Sequence, residues 1–315
     1  MGLVHDNIRF LLAARRDGYS FKRIVTLGRQ QLYLHTKQLE SLTAEFADLL
    51  DARTRLSVAA GDDAEDFLRW SLESREIDSI DGSGFESATI IHDMNHPIDA
   101  ALHNQYDAVI DGGTLEHIFN TPIALSNCMR MVRVGGCLVF FAPANNHCGH
   151  GFYQFSPELF FRVFDAGNGF EVVRLVLMQH QYPGPELSMN TRCYEVIDPD
   201  AVKSRVGLIS PQAAMIMVLA RKIASVDPLT ESPIQSDYQR RWDDQQSSSR
   251  PGESSSEQSA DTSITAARTL RRMAGKIKRR LVRQLPLSVQ LSLVGRQQRR
   301  DYSLKNSKFY RVWNT

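Results

Sequence analysis

The segment Cys137–Ala142 reads C-L-V-F-F-A, six apolar residues with no polar alternation. A strand with one wet face alternates apolar and polar positions, so an unbroken apolar run marks a strand buried on both faces. A chain carrying such a strand must cover two sides of a sheet, and helices joined by crossover connections are the usual cover. The flanking sequence supplies the parts. Arg23–Leu27 (R-I-V-T-L) and Tyr106–Asp111 (Y-D-A-V-I-D) are strand segments that run directly into glycine. Ile77–Asp81, Ala88–His92, Phe170–Met178 and Ala213–Ala220 complete the set of predicted strands. Between them, Leu39, Leu42, Phe46 and Leu49 recur at helical spacing behind Thr36 as N-cap. Phe67–Leu72 predicts a short helix, and Ile123, Leu125, Met129 and Val132 predict another that Gly135-Gly136 ends. Ser156-Pro157-Glu158 is a helix start, with N-cap, proline at N1 and an acid near the positive end, and that helix runs to about Gly167. The order β-α-β-β-β-α-β-α-β-β predicts an α/β fold with a mostly parallel sheet and helices on both faces. The three adjoining strands within 77–111 do not force a clean crossover between each pair, so an inserted or a missing helix is expected there.

Charge divides the chain. The whole sequence has a net charge of +1, yet residues 262–300 hold eleven of its 37 Lys and Arg and no Asp or Glu. The remainder is therefore acidic, a pattern of a folded body with a basic tail. The expected organisation is a short helical lead-in over 1–20, a main domain over 21–225, a disordered Ser-rich linker over 226–262 and a basic amphipathic tail over 263–315. The longest uninterrupted apolar run, Ala213–Ala220, is far short of the 18 or so residues that span a bilayer. Charges at Asp6, Arg9, Arg15 and Arg16 interrupt any secretory h-region, and Asp6 stands where a myristoylation signal needs Ser or Thr. Cys128, Cys137, Cys148 and Cys193 form neither a C-x-x-C pair nor a dense disulfide framework. These features predict a cytoplasmic protein.

Ligands of open α/β sheets bind beyond the carboxyl ends of the strands. The residues there are Gly28-Arg29-Gln30, Asp81-Gly82-Ser83, Asp93-Met94-Asn95, Asp111-Gly112-Gly113 and Pro143-Ala144-Asn145-Asn146. Taken in order, residues 22–222 resemble the class I S-adenosylmethionine-dependent methyltransferases, a Rossmann-like family whose sheet ends in an antiparallel hairpin. The resemblance implies that Asp81 with Ser83 takes ribose hydroxyls and that Asp93 with Met94 meets the adenine. It implies that Tyr106–His117 (Y-D-A-V-I-D-G-G-T-L-E-H) is the fourth strand and its continuation, with Asp111 and Gly112 against the cofactor. Arg133-Val134-Gly135-Gly136 stands at the family's turn before strand five, and 170–178 with 213–222 forms the final hairpin. Thr26, Gly28 and Arg29 lie in the first loop, which departs from the family: where Asp/Glu-x-Gly-x-Gly-x-Gly is usual, this chain has T-L-G-R-Q-Q, with one glycine and no acid. Asp48 lies 20 residues beyond Gly28, the spacing of a dinucleotide fold, but within a helical pattern; Asp81 at a strand end is preferred.

The implied cofactor is S-adenosylmethionine and the implied reaction is methyl transfer to a small-molecule or glycan-type acceptor. His117, His150 and Tyr153 are the residues expected to orient the acceptor or take its proton. The cluster His147, Cys148 and His150 could ligate zinc, but no partner pair at ligand spacing accompanies it, so no metal is expected. Two rivals stand beside the enzyme: a non-catalytic binding or scaffold protein whose altered first loop weakens nucleoside binding, and a nicotinamide dehydrogenase, which lacks its Gly-x-Gly-x-x-Gly. Neither a Gly-x-Ser-x-Gly elbow nor a Walker loop occurs. In the tail, Leu270, Met273, Ile277, Leu281 and Leu285 share one helical face among seven Lys and Arg, and Pro286 ends the pattern. Such a basic amphipathic helix predicts a partner in an anionic membrane surface through residues 264–300, hence peripheral attachment. Nucleic acid is less favoured, because aromatic residues for base stacking are missing between 264 and 301.

Overall fold

The computed structural model describes residues 2–50, 63–181, 184–188, 191–248, 281 and 284–314. The predicted strands become β2 (Arg23–Leu27), β4 (Glu76–Asp81), β5 (Ile90–Ile91), β6 (Tyr106–Asp111), β7 (Val132–Asn145), β8 (Phe170–His180) and β10 (Ala213–Lys222). They lie in one sheet in the order β5-β4-β2-β6-β7-β10-β8, continued by β9 (Arg192–Val196) and β11 (Tyr310–Val312). The pairings among β5, β4, β2, β6 and β7 are parallel. From β7 onward every pairing is antiparallel, including the terminal hairpin of β8 with β10. The parallel character is thus confined to the central and near-edge strands. A separate two-stranded parallel sheet joins β1 (Gly2–Val4) to β3 (Gln31–Tyr33).

Alternate residues of the central strands feed two cores, as burial on both faces requires. On one face Val25, Val109, Leu138 and Phe140 pack with α4 (Thr121–Met131) and α5 (Pro157–Val163). On the other, Ile24, Ala108, Val139 and Phe141 pack with α1 (His5–Arg16), α2 (Thr36–Glu45) and α3 (Ala64–Ser71). The crossover from β5 to β6 holds only a 3-10 turn, Ala100–Leu102, the expected place for a missing helix. Two local expectations shift. His35, not Thr36, caps α2, its N–H donating to Gln38 Oε1 at 3.0 Å. Helix α4 stops at Met131, and Gly135-Gly136 lies inside β7, where Gly136 packs so close to β6 that a Cβ would come within 2.5 Å of the Asp107 carbonyl.

The chain does not divide where composition divides it. The lead-in helix α1 is part of the main domain: Ile8, Phe10, Leu11, Leu12 and Ala14 are buried against the sheet. Past residue 225, α6 (Ser236–Ser248) docks on the body, where the Ser236 N–H reaches Glu158 at 2.7 Å and Asp237 pairs with Arg205 at 2.9 Å. The attachment is polar: Ser236 and Asp237 are buried at the contact, while Ile234, Tyr238 and Trp242 stay exposed. The far end of the tail returns as well, β11 extending the sheet while Phe309, Tyr310 and Trp313 are buried. Between them lies α7 (Leu287–Asp301), with Leu287 and Leu291 exposed. Residues 249–280, which carry most of the amphipathic pattern, lie outside the described residues. Among those described, no helix is long and apolar enough to cross a membrane.

Candidate functional site

Reversal of strand order puts a switch point between β2 and β6, since β4 and β5 extend from β2 on one side and β6 lies on the other. The crevice beyond their carboxyl ends is where a ligand of this architecture sits. Thr26 is buried in β2, and its hydroxyl donates to the Gly28 carbonyl at 2.8 Å, which shapes the first loop rather than facing a ligand. Gly28 takes a left-handed φ of +67° and donates its N–H to Ile80 O at 2.8 Å. Arg29 turns to α3, pairing with Asp63 at 2.9 Å and Glu65 at 3.1 Å, so its charge is already matched.

Gln30 folds into the crevice. It is buried, and its Nε2 donates to Leu27 O at 2.7 Å and to Gly28 O at 3.2 Å. Its Oε1 is buried without a hydrogen-bond partner. That oxygen presses on the backbone of Gly112, where a Cβ would come within 1.9 Å of it. A side chain at 112 would have to displace the Gln30 amide, 82 positions away in sequence. Thr114 spans the same crevice, its hydroxyl donating to Leu27 O at 2.7 Å.

Toward the near edge, Asp81 accepts the Ser83 N–H at 2.8 Å and its hydroxyl at 3.3 Å, a turn built on the aspartate side chain. The space over Gly82 is open: a Cβ there would meet nothing within 4 Å. Asp93 is exposed and accepts the Asn95 N–H at 2.9 Å, and the two hydrogen bonds from Asn95 hold its carboxyl below the usual range. Met94 is buried beneath this loop, which the buried Asn127 clasps by donating to His96 O at 2.7 Å and accepting the Ile98 N–H at 2.9 Å. A pocket of about 240 Å³ opens beside the first loop, lined by Arg29, Gln30, Gln31, Asp63 and Glu86.

On the other side of the switch point the turn Leu115–His117 follows β6. Asp111 is fully buried and organises this turn, accepting the N–H of Gly113 at 3.3 Å, of Thr114 at 2.7 Å and of Leu115 at 3.4 Å. Glu116 is also fully buried. Burial raises both carboxyls, and their proximity raises Asp111 further. The loop after β7 folds over Glu116: Phe152 N–H donates to its carbonyl at 2.8 Å, and Gly151, at φ +70°, lets the two backbones meet where a Cβ would stand 2.8 Å from that oxygen. This brings His150 Nε2 to 3.2 Å from Glu116 Oε1, with the His117 ring centroid 5.1 Å from that of His150. Tyr153 is turned aside, its hydroxyl donating to Phe119 O at 2.8 Å. His147 leaves the cluster for His180, the two Nε2 atoms 3.3 Å apart, while Cys148 meets Gln154; the sequence trio His147, Cys148 and His150 does not converge. Burial, with His180 and His150 nearby, pushes His147 down to about 4.

Two of the three acceptor-side candidates, His117 and His150, thus come together, and Tyr153 does not join them through its hydroxyl. Sequence reasoning missed Glu116 and His180. Glu116 stood in plain view before His117 but offered no sign that it would be buried, whereas His180 is the last residue of β8 and could have been found by carrying the strand two residues further. His180 also lines a cavity of about 670 Å³ with His5, Lys37, Gln38, Gln179 and Arg192, on the same carboxyl edge of the sheet.

No family model and no curated relative matches this chain. Among solved structures it is similar to a SAM-dependent methyltransferase of Thermotoga maritima, with 14% identity over 69% of this chain and 90% of that one, at a TM-score of 0.36. It is similar at 11% identity, over 69% and 78% of the two chains and a TM-score of 0.35, to the 1,6-didemethyltoxoflavin-N1-methyltransferase of Burkholderia thailandensis with bound S-adenosylhomocysteine. A 16S rRNA adenine N1-methyltransferase of Catenulisporales acidiphilia overlaps at 13% identity, over 72% and 95%, with a TM-score of 0.34. The fold assignment rests on strand order and direction: a Rossmann-like α/β sheet with helices on both faces and a reversed terminal hairpin.

Proposed function

We propose that this chain is an S-adenosylmethionine-dependent methyltransferase acting on a polar small-molecule or glycan-type acceptor. The observation that carries the reading is Asp81: an acid at the carboxyl end of the strand beside β2, with open space over the following glycine. That is where ribose hydroxyls would be taken in this architecture. The methionyl end would meet Gln30, whose unpartnered buried Oε1 is an acceptor suited to an ammonium group. The cofactor would supply an electrophilic methyl group already activated by its sulfonium. The chain's own residues supply alignment and, for a hydroxyl acceptor, a proton acceptor. His150, steadied by the buried Glu116, is placed for that task, and the tautomer with the proton on Nε2 leaves Nδ1 free. The cavity at His180 supports a hydrophilic acceptor, because cationic and amide side chains line it and carboxylates do not.

Isothermal titration with S-adenosylmethionine and S-adenosylhomocysteine tests the reading. Binding of either, weakened in Asp81→Ala by the 1.5–3 kcal/mol or so of a charged hydrogen bond, is expected. No heat at millimolar ligand would overturn it in favour of a non-catalytic binding protein.

A further inference from the structure

We propose that Glu116, His117 and His150 form a binding site for one first-row divalent cation at the carboxyl edge of the sheet. The three residues offer one carboxylate oxygen and two imidazole nitrogens, all within 4.8 Å of one another. Around a cation with bonds near 2.1 Å, adjacent ligand atoms stand roughly 3.0–3.5 Å apart. The pair Glu116 Oε1 and His150 Nε2 is already at 3.2 Å. His117 needs only a side-chain adjustment to join them.

Three further observations point to a ligand. Glu116 has no exposure, yet its Oε2 has no hydrogen-bond partner, so the carboxylate of the cluster carries a buried acceptor left over. Such orphaned atoms in folded proteins call for an unseen partner. The backbone holding the ligands is fixed from both sides: Asp111 ties the turn that carries Glu116 and His117, and the Glu116 carbonyl ties the loop that carries His150. Finally, His117 and His150 are exposed, so the far side of the cluster faces solvent and leaves positions for water or an acceptor's oxygen. Two imidazoles and one carboxylate with open positions is a donor set for zinc and the other late first-row divalent ions, not for magnesium or calcium, which take oxygen. A cation here would occupy the place of the His150–Glu116 hydrogen bond and would present its open positions to an acceptor hydroxyl or amine. The site stands on these side chains alone and does not depend on methyl transfer.

The test uses the full chain, stripped with chelator, checked for folding by circular dichroism and titrated with Co²⁺ without any cofactor. One equivalent of Co²⁺, giving ligand-field absorption in the visible and displaced by Zn²⁺, is expected. His117→Gln and His150→Gln should each weaken it more than about 10-fold. His103→Gln, remote from the cluster, should leave it unchanged. Glu116→Gln should also weaken it, and the two exposed histidine variants keep the test decisive should that buried substitution fail to fold. A folded chain that takes up no Co²⁺, or whose uptake is indifferent to both histidine variants, would overturn the site. Because S-adenosylhomocysteine titration is separate, failure here leaves the cofactor reading standing, and the reverse.

Discussion

Gly112→Ala tests whether Gln30 truly fills the crevice at the switch point. The new Cβ would fall 1.9 Å from Gln30 Oε1 and 2.7 Å from its Cδ, so the amide must leave. Backbone strain does not enter, since Gly112 is not among the glycines with positive φ. Overpacking by one methyl group costs about 1–3 kcal/mol. Expelling the amide also breaks its hydrogen bonds to Leu27 O and Gly28 O, at about 0.5–1.5 kcal/mol each. The single substitution should therefore destabilise the chain by roughly 2–6 kcal/mol. Gln30→Ala loses the same two hydrogen bonds but also removes an unpartnered buried oxygen, so its net effect should be about 1 kcal/mol or less. In the double variant the alanine methyl enters the space the amide vacates. The double-mutant cycle should then show a coupling of roughly 2–3 kcal/mol, the pair being less damaging than the sum. Urea unfolding of the four proteins, with midpoints converted at a shared slope, measures it. Additive effects would refute the placement of Gln30. Titrating Gln30→Ala with S-adenosylhomocysteine adds a functional readout: weaker binding marks the amide as a ligand contact, tighter binding marks it as an obstruction.

Trp313→Ala should destabilise the chain by about 3–5 kcal/mol in the same assay, because the indole packs on Phe10 at 5.7 Å under Arg9 at 4.8 Å; a tail independent of the body would show no change. Lys222 is buried with its Nζ donating to Asn104 Oδ1, Met129 O and Val132 O, and burial pushes its ammonium down to about 8. Between that value and the ordinary one near 10.5 the unfolded state binds more protons at this residue, while the buried Cys128, Cys137 and Cys193 thiols, raised by burial, act in the opposite sense. The lysine's own effect is therefore read as the difference between wild type and Lys222→Met, which should move in favour of wild type by up to about 3 kcal/mol as pH rises through that window. His150→Gln should lower turnover on a hydroxyl acceptor by about 10²–10⁴-fold if this residue serves as base or cation ligand, whereas wild-type turnover would make it structural. For the proposed membrane partner, replacing Lys276, Lys278, Arg279 and Arg280 by serine should reduce co-sedimentation with anionic vesicles, each charge being worth on the order of 1 kcal/mol near the surface. Truncation is the wrong perturbation there, since it would remove β11 and Trp313 from the folded body.

The central strands could be read from sequence because burial on both faces concentrates apolar residues in short stretches that run into glycine: Arg23–Leu27 and Tyr106–Asp111 come out residue for residue, and the apolar run Cys137–Ala142 forms the middle of Val132–Asn145. Four strands escaped: Gly2–Val4 and Gln31–Tyr33, which pair in a separate small sheet, and Arg192–Val196 (R-C-Y-E-V) and Tyr310–Val312 (Y-R-V), which lie at the far edge of the main one. Edge strands are joined by backbone hydrogen bonds that ask little of their side chains, and charges there serve to prevent further pairing. Nothing local distinguishes such a stretch from a loop or a tail, which is why the boundary drawn at 263 cut a strand from its sheet. The site divides on the same principle. Which residues stand at strand ends follows from the strands themselves, so Asp81, Asp111 and Gly112 were accessible. Which side chains meet does not, because closing the fold sets the pairs: Gln30 against Gly112, Glu116 against His150. Glu116 is the sharpest case. In L-E-H-I it looks like an ordinary charge on a wet turn, and only the loop after β7, folded over it through Gly151, removes it from water. A carboxylate with no exposure must be protonated or matched by a cation or hydrogen-bond donors. Among the described residues, the Glu116 backbone N–H reaches this carboxyl, and His150, with His117 beside it, is the cationic partner at hand. The buried Glu116 is thus what couples the two exposed histidines to the folded body, through its hydrogen bond with His150 and its place in the turn that carries His117.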